Sequence, residues 1–245
     1  MTKIPTTHRW CLFLDVDGTL LDIAATPDRV RVDPALNELL RATSDSLAGA
    51  VALISGRSLA QLDALFAPAR WTAAGQHGLE RRDASGHVHR ARLDDSSLAA
   101  ARLAMAAAAA EAPGALLEDK GLALALHYRL APAFEQQLRR QVSRIARQLG
   151  SAFHVQEGRR VLELKPASAT KADAIQAFLA EPPFAGRRPM FVGDDLTDLD
   201  GFAAVERAGG LSVAVGDHVN ALLRVASPRD VRALLADLAE GKVTA

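Results

Sequence analysis

The chain has 245 residues, enough for a core with one inserted domain, and its 29 Lys plus Arg balance 29 Asp plus Glu. No global field therefore draws it to nucleic acid or an anionic membrane, and any anion must be held locally. Its single cysteine, Cys11, excludes an internal disulfide or a cysteine-built zinc site. MTKIPTTHRW at the start lacks a signal-peptide apolar stretch, and no segment approaches the about 20 apolar residues that span a bilayer, so a cytoplasmic chain is expected.

In chain order, the short apolar runs CLFLD, AVALISG, WTAAGQHG, PMFVGDD and LSVAVG each end in small or acidic residues and lead into helical periodicity. They predict strands covered on both faces, hence a mainly parallel, doubly wound α/β sheet. Helix starts are marked by Asp33 with Pro34, Ser58, Thr170, and Ser227 with Pro228. Ligands of such folds bind at the carboxyl ends of the strands, where the polar clusters of this chain fall.

Residues 96–165 have a different texture. An alanine-rich helix precedes GALLEDKGLALALHYRL, an Arg/Gln-rich helix and SAFHVQEGRRVLELK. Alternation puts Leu122, Leu124 and Leu126 on one face and Ala123, Ala125, His127 and Arg129 on the other; Leu162 and Leu164 oppose Glu163 and Lys165. The pattern predicts an antiparallel sheet with one helix-covered face and one open polar face. The domain reading is 1–95 core, 96–165 inserted α+β lobe, and 166–245 core again.

CLFLDVDGTLLD poses the chemical question, because Asp15 and Asp17 leave an apolar run together, and two nearby carboxylates resist both desolvation and each other. A calcium loop would need glycine at its sixth position and glutamate at its twelfth, where Leu20 and Thr26 stand. The pair is accompanied by ISGR, by Thr170-Lys171 at a helix start and by GDDLTD after a strand. In that order, these four clusters resemble the haloacid dehalogenase-like phosphohydrolases. The resemblance implies a Rossmann-like hydrolase core with an inserted cap.

It implies chemistry as well. Asp15 is the candidate nucleophile, forming an aspartyl phosphate, and Asp17 the candidate acid/base that protonates the leaving oxygen and then activates water. Magnesium is the expected cofactor, bound by side-chain oxygens of Asp15 and Asp194 and the backbone carbonyl of Asp17, with Asp195 and Asp198 orienting those ligands. Ser55 and the amides of Gly56 and Gly18 are candidate phosphate donors, and Lys171 a fixed positive charge beside Asp15.

The blocks LDVDGTLLDIAATPD, ALISGRSLAQLDALF, AAGQHGLE, EDKGLALALHYR, GRRVLELKPASATK and VGDDLTDLDGF are similar, over nearly the whole chain, to the trehalose-6-phosphate phosphatase family. This implies a small-molecule substrate, trehalose 6-phosphate, and a cap that closes over it. Candidate substrate contacts are His77, Glu118, Lys120, His127, Arg129, Arg159, Arg160, Glu163 and Lys165. It also implies work beside a trehalose-6-phosphate synthase, without requiring that the two bind. Ala172 and Leu199 depart from the family's usual glycine and acidic residue, and Gln76 and Arg160 from its commonest forms. Alternatives are a phosphatase for another sugar phosphate, a phospho-aspartate signalling domain and a sugar-phosphate sensor.

Overall fold

The computed structural model describes residues 10–23, 30–91, 95–158, 160–167 and 169–242. Two compact units appear, one of Met1–His89 with Thr170–Ala245 and one of Arg90–Ala169.

The larger unit is built on an eight-stranded sheet. In chain order its elements are β1 (Trp10–Leu14), α1 (Pro34–Ser46), β2 (Val51–Ile54), α2 (Leu59–Leu65), β3 (Ala73–Gly75), β4 (Glu80–Arg82) and β5 (Val88–Arg90). The chain leaves after β5 for α3 (Asp95–Ala110), β6 (Leu116–Asp119), β7 (Leu124–His127), α4 (Glu135–Leu149), β8 (Phe153–Gly158) and β9 (Val161–Pro166). It resumes with α5 (Lys171–Leu179), β10 (Arg188–Gly193), α6 (Leu199–Arg207), β11 (Leu211–Val215), β12 (Leu223–Val225) and α7 (Pro228–Ala239).

Sheet order is β12-β11-β10-β1-β2-β3-β4-β5, parallel from β12 to β3 and antiparallel between β3 and β4. The chain winds outward through β2 and β3 on one side of β1 and through β11 and β12 on the other. The gap between β1 and β10 is thus the point where strand order reverses, the place at the carboxyl ends where sheets of this kind take their ligands. Register puts Leu14 beside Val192 of β10 and Leu53 of β2, so Asp15, Asp194 and Ser55 leave the sheet as neighbours.

Strand alternation explains the layers. Trp10, Leu12 and Leu14 pack into one buried cluster with Leu36 and Leu40 of α1 and Val231 and Leu235 of α7. Cys11 and Phe13 face the opposite way, against Ile175 and Phe178 of α5 and Phe202 of α6. Phe13 stacks on Phe184 at 5.4 Å between ring centroids. Helix starts fall where expected: Asp33 accepts the Leu36 N–H at 2.8 Å, and Ser58 with Gln61 forms a reciprocal cap. Ser227 occupies its cap position, but its hydroxyl donates to Asp230 instead.

The smaller unit holds the antiparallel sheet β6-β7-β9-β8. Leu124, Leu126, Leu162 and Leu164 pack on Leu98 and Met105 of α3 and Leu138 and Val142 of α4, giving the helix-covered face. The second face is not open at its centre: Ala125, Glu163 and Lys165 are buried, Lys165 to 1% exposure. Among the described residues, no helix is long and apolar enough to cross a membrane.

Cys11 is fully buried, and burial pushes its thiol up to about 12, against the pull of Arg187. The native protein at about pH 8 is therefore expected to resist an aromatic disulfide reagent that labels the denatured chain fully. Fast stoichiometric labelling of native protein would contradict the placement of β1.

Candidate active site

Asp15 follows β1 directly, and its N–H donates to the Val192 carbonyl at 2.9 Å, extending the ladder with β10 by one residue. The chain then turns sharply, with Gly18 N–H on the Leu21 carbonyl at 2.7 Å. Gly18 has φ +95°, and a Cβ on it would lie 2.1 Å from Asp194 Oδ2, so both conformation and space demand glycine. Thr19 donates its hydroxyl to Asp194 Oδ1 at 3.2 Å, tying the turn after β1 to the end of β10.

A second anchor arrives at the start of α5. Thr170 and Asp173 cap each other's backbone, which makes Lys171 the first helical residue. Its ammonium donates to Asp15 Oδ1 at 2.7 Å and to Asp198 Oδ1 at 2.6 Å. Asp198 Oδ2 accepts the N–H groups of Asp194 at 2.9 Å and Asp195 at 3.0 Å. Asp198 therefore has both oxygens engaged. Asp15 and Asp194 each keep one oxygen, Oδ2, without a hydrogen bond among the described residues.

Carboxylate oxygens of Asp15, Asp194 and Asp198 lie within 4.8 Å of one another, all buried. Burial first, then the charges of Asp198 and Asp194, push the Asp15 carboxyl well above the ordinary range despite the opposing pull of Lys171. Asp194 is pushed up to about 7, again by burial and then by Asp198. Lys171 meets the same desolvation, but Asp15 and Asp198 outweigh it and hold the ammonium charged above its ordinary range. One ammonium does not neutralise three carboxylates. This all-oxygen donor set, with its unsatisfied Oδ2 atoms, fits a hard divalent cation better than a thiophilic one.

The phosphate-loop candidates sit after β2. Ser55 is buried and accepts the Arg57 N–H at 3.2 Å. Gly56 lies under the ring of His77, and a Cβ there would come within 2.7 Å of Nε2. His77 itself has φ 57° and donates its N–H to the Ser55 carbonyl at 2.9 Å, so it packs on the Ser55–Gly56 turn. Asp17 stands outside the acidic cluster of carboxylates. Arg57 grips it through Nε to Oδ2 and a terminal nitrogen to Oδ1, both at 2.7 Å.

Arg57 and Glu80 were not singled out in the sequence. The arginine closes ISGR, a turn whose hydroxyl and glycine point to a phosphate cradle, and nothing local shows that the next side chain reaches Asp17. Glu80, which no local pattern marks, is buried and accepts the Leu59 N–H at 2.8 Å and Gln76 Nε2 at 3.1 Å. Asp195 is half-buried and spends Oδ1 on the Leu196 N–H at 2.6 Å. Leu199 and Asp200 are exposed at the start of α6, so Asp200 does not substitute as an acid beside the cluster. Ala172 packs against the core around Phe178.

In the smaller unit, Lys120 pairs with Glu163 at 3.2 Å and His127 with Glu118 at 2.7 Å. Glu118 and Glu163 both lie opposite Ala125 across β6-β7-β9, on one sheet face. Lys165 lies opposite His154, one step along that face from Glu163. Arg129 is half-buried, and Arg160 is exposed with φ 63° in the turn between β8 and β9. Arg159 lies outside the described residues.

A doubly wound core with a buried, lysine-bridged acidic cluster at its switch point defines an α/β protein with a candidate cation site at the carboxyl ends of its strands. A trehalose-phosphatase family profile matches residues 13–228, and the chain belongs to that family. It is 46% identical over 233 residues to a Sinorhizobium fredii protein named "Probable trehalose-phosphate phosphatase", covering 94% of this chain and 88% of the relative. With the trehalose-6-phosphate phosphatase of Escherichia coli it shares 44% identity over 217 residues, 88% of this chain and 81% of the relative. A solved structure of a trehalose-6-phosphate phosphatase related protein superposes with TM-score 0.79 at 26% identity, covering 95% of this chain and 98% of that one.

The acidic cluster sets a pH dependence. Folding raises Asp194 from 3.8 to about 7, so its contribution to stability is full below 3.8 and is lost as pH rises through about 7. A bound divalent cation reverses this by favouring the ionised form. Denaturation with chelator and with saturating divalent cation is expected to show a stability gap that widens from about pH 5 to about pH 8. A gap independent of pH would contradict cation binding at this cluster.

Proposed function

We propose that the protein hydrolyses trehalose 6-phosphate to trehalose and inorganic phosphate, with cytoplasm as its compartment. The observation that carries the reading is the extent of the family match, residues 13–228, which runs through the inserted unit as well as the core. A shared hydrolase core would support the chemistry alone and say nothing of the leaving group.

In the proposed mechanism, Asp15 attacks phosphorus as the bond to the sugar oxygen breaks, and Asp17 protonates that oxygen as it leaves with the electron pair. Water, giving its proton to Asp17, then attacks the phosphorus of the aspartyl phosphate, and the Asp15 carboxylate departs. Ser55 and the amides of Gly18 and Gly56 are assigned to the phosphoryl oxygens, where charge shifts in the transition state. Lys171, 2.7 Å from Asp15, supports its ionised form before attack and balances the charge brought by substrate. Magnesium, held by Asp15, Asp194 and the Asp17 carbonyl, would supply further charge neutralisation and orient the phosphoryl group.

Sugar recognition is assigned to Glu118, Lys120, His127, Arg129, Glu163 and Lys165, with His77, Arg159 and Arg160 as further candidates. Their paired donors and acceptors suit hydroxyl groups. The substrate requires an upstream synthase that phosphorylates or assembles the disaccharide, with no implication that the two proteins bind.

Phosphate release from a panel of sugar phosphates tests the assignment. Trehalose 6-phosphate is expected to be the preferred substrate, chelator to abolish turnover and magnesium to restore it. Asp15→Asn is expected to lower turnover by at least about a thousandfold. Preference for sucrose or mannosylglycerate phosphate would overturn the substrate assignment, and persistent stoichiometric labelling without release would favour signalling.

A further inference from the structure

The fork between Arg57 and Asp17 is an interaction that the proposed chemistry does not explain. Both Asp17 oxygens are engaged at 2.7 Å, while the carboxylate lies outside the Asp15–Asp194–Asp198 cluster. Two parallel bonds from a planar guanidinium fix a carboxylate in orientation as well as position, which a single point charge does not.

The arginine stands on rigid backbone. Its carbonyl accepts the Gln76 N–H at 2.8 Å and its own N–H donates to Ser55 Oγ at 3.2 Å. Glu80 braces both sides of this turn, accepting from Leu59 N at 2.8 Å and Gln76 Nε2 at 3.1 Å. Gly75 permits the approach, since a Cβ there would lie 2.8 Å from the Arg57 carbonyl oxygen. The Arg57 side chain is only 11% exposed, against 36% for Asp17, so the more exposed partner is tied to the more buried one.

We propose that Arg57 is a positioning residue for Asp17. It sets the rotamer of the acid/base and keeps its carboxylate apart from the cluster of Asp15, Asp194 and Asp198. Without it, Asp17 would be drawn towards any cation held by Asp15 and Asp194, away from the leaving oxygen. This rests on the reading of Asp17 as the acid in phosphoryl transfer.

The test compares wild type, Arg57→Gln, Arg57→Lys and Asp17→Asn, each loaded with magnesium, on two substrates. Trehalose 6-phosphate has a leaving oxygen that needs a proton; 2,4-dinitrophenyl phosphate has one that does not. The rate of the first dinitrophenol burst reports attack by Asp15 alone. Arg57→Gln is expected to slow turnover of trehalose 6-phosphate by about 10- to 100-fold while leaving the burst rate within about threefold of wild type. Arg57→Lys, which keeps the charge but not the fork, is expected to fall between.

Equal slowing on both substrates by Arg57→Gln and Arg57→Lys would overturn the proposal and make Arg57 a phosphate-binding or structural group. No slowing on either would overturn it too. Asp17→Asn separates the two levels: if its defect does not depend on the leaving group, the acid assignment itself falls. If that dependence appears in Asp17→Asn but in neither arginine variant, only the role of Arg57 falls.

Discussion

The ammonium of Lys171, buried between Asp15 and Asp198 at 2.7 and 2.6 Å, is the contact on which the site's geometry depends. Removing a lone charge from water is costly, and a buried pair persists only where geometry and further hydrogen bonds are good. Here they are: Asp198 places its second oxygen on two backbone amides, so the helix turn at 196–198 and the end of β10 are fixed by the side chain that fixes the lysine. The arrangement nevertheless leaves an excess of negative charge. Asp194, pushed up to about 7 by burial and Asp198, is where that excess is most readily relieved, by a proton or by a cation.

Local sequence rules bring these groups together from remote parts of the chain. The cap between Thr170 and Asp173 starts α5 at Lys171, and the parallel register of β1 with β10, Leu14 beside Val192, brings Asp15 level with Gly193 and next to Asp194. Two glycines make the approach possible. A Cβ on Gly18 would overlap Asp194, and one on Gly193 would lie 2.4 Å from Asp198 Cγ. Close packing of carboxylates is thus a backbone property before it is an electrostatic one, and glycine substitution would act on spacing rather than charge.

The features legible in the sequence were those written in short-range patterns. The strands ending at Leu14, Ile54 and Gly193 are continuous apolar runs, and the caps at Asp33, Ser58 and Thr170 precede helical periodicity. Three-residue β4, β5 and β12 were not legible, because ERR, VHR and LRV are too short and charged to show period two and owe their strand form to neighbours. Burial of Glu163 and Lys165 was missed for a related reason: alternation tells which face a residue takes, not whether that face meets solvent. Arg57 reached Asp17 across 40 residues of sequence, and only the three-dimensional turn made that pairing visible.

Charge is managed differently in the two units. In the larger unit the carboxylates outnumber the buried ammonium, so the cluster favours a cation. In the smaller unit Lys120 is matched by Glu163, and Glu118 by His127. Such pairs keep donors and acceptors side by side, so that polar groups on a largely covered sheet face meet partners.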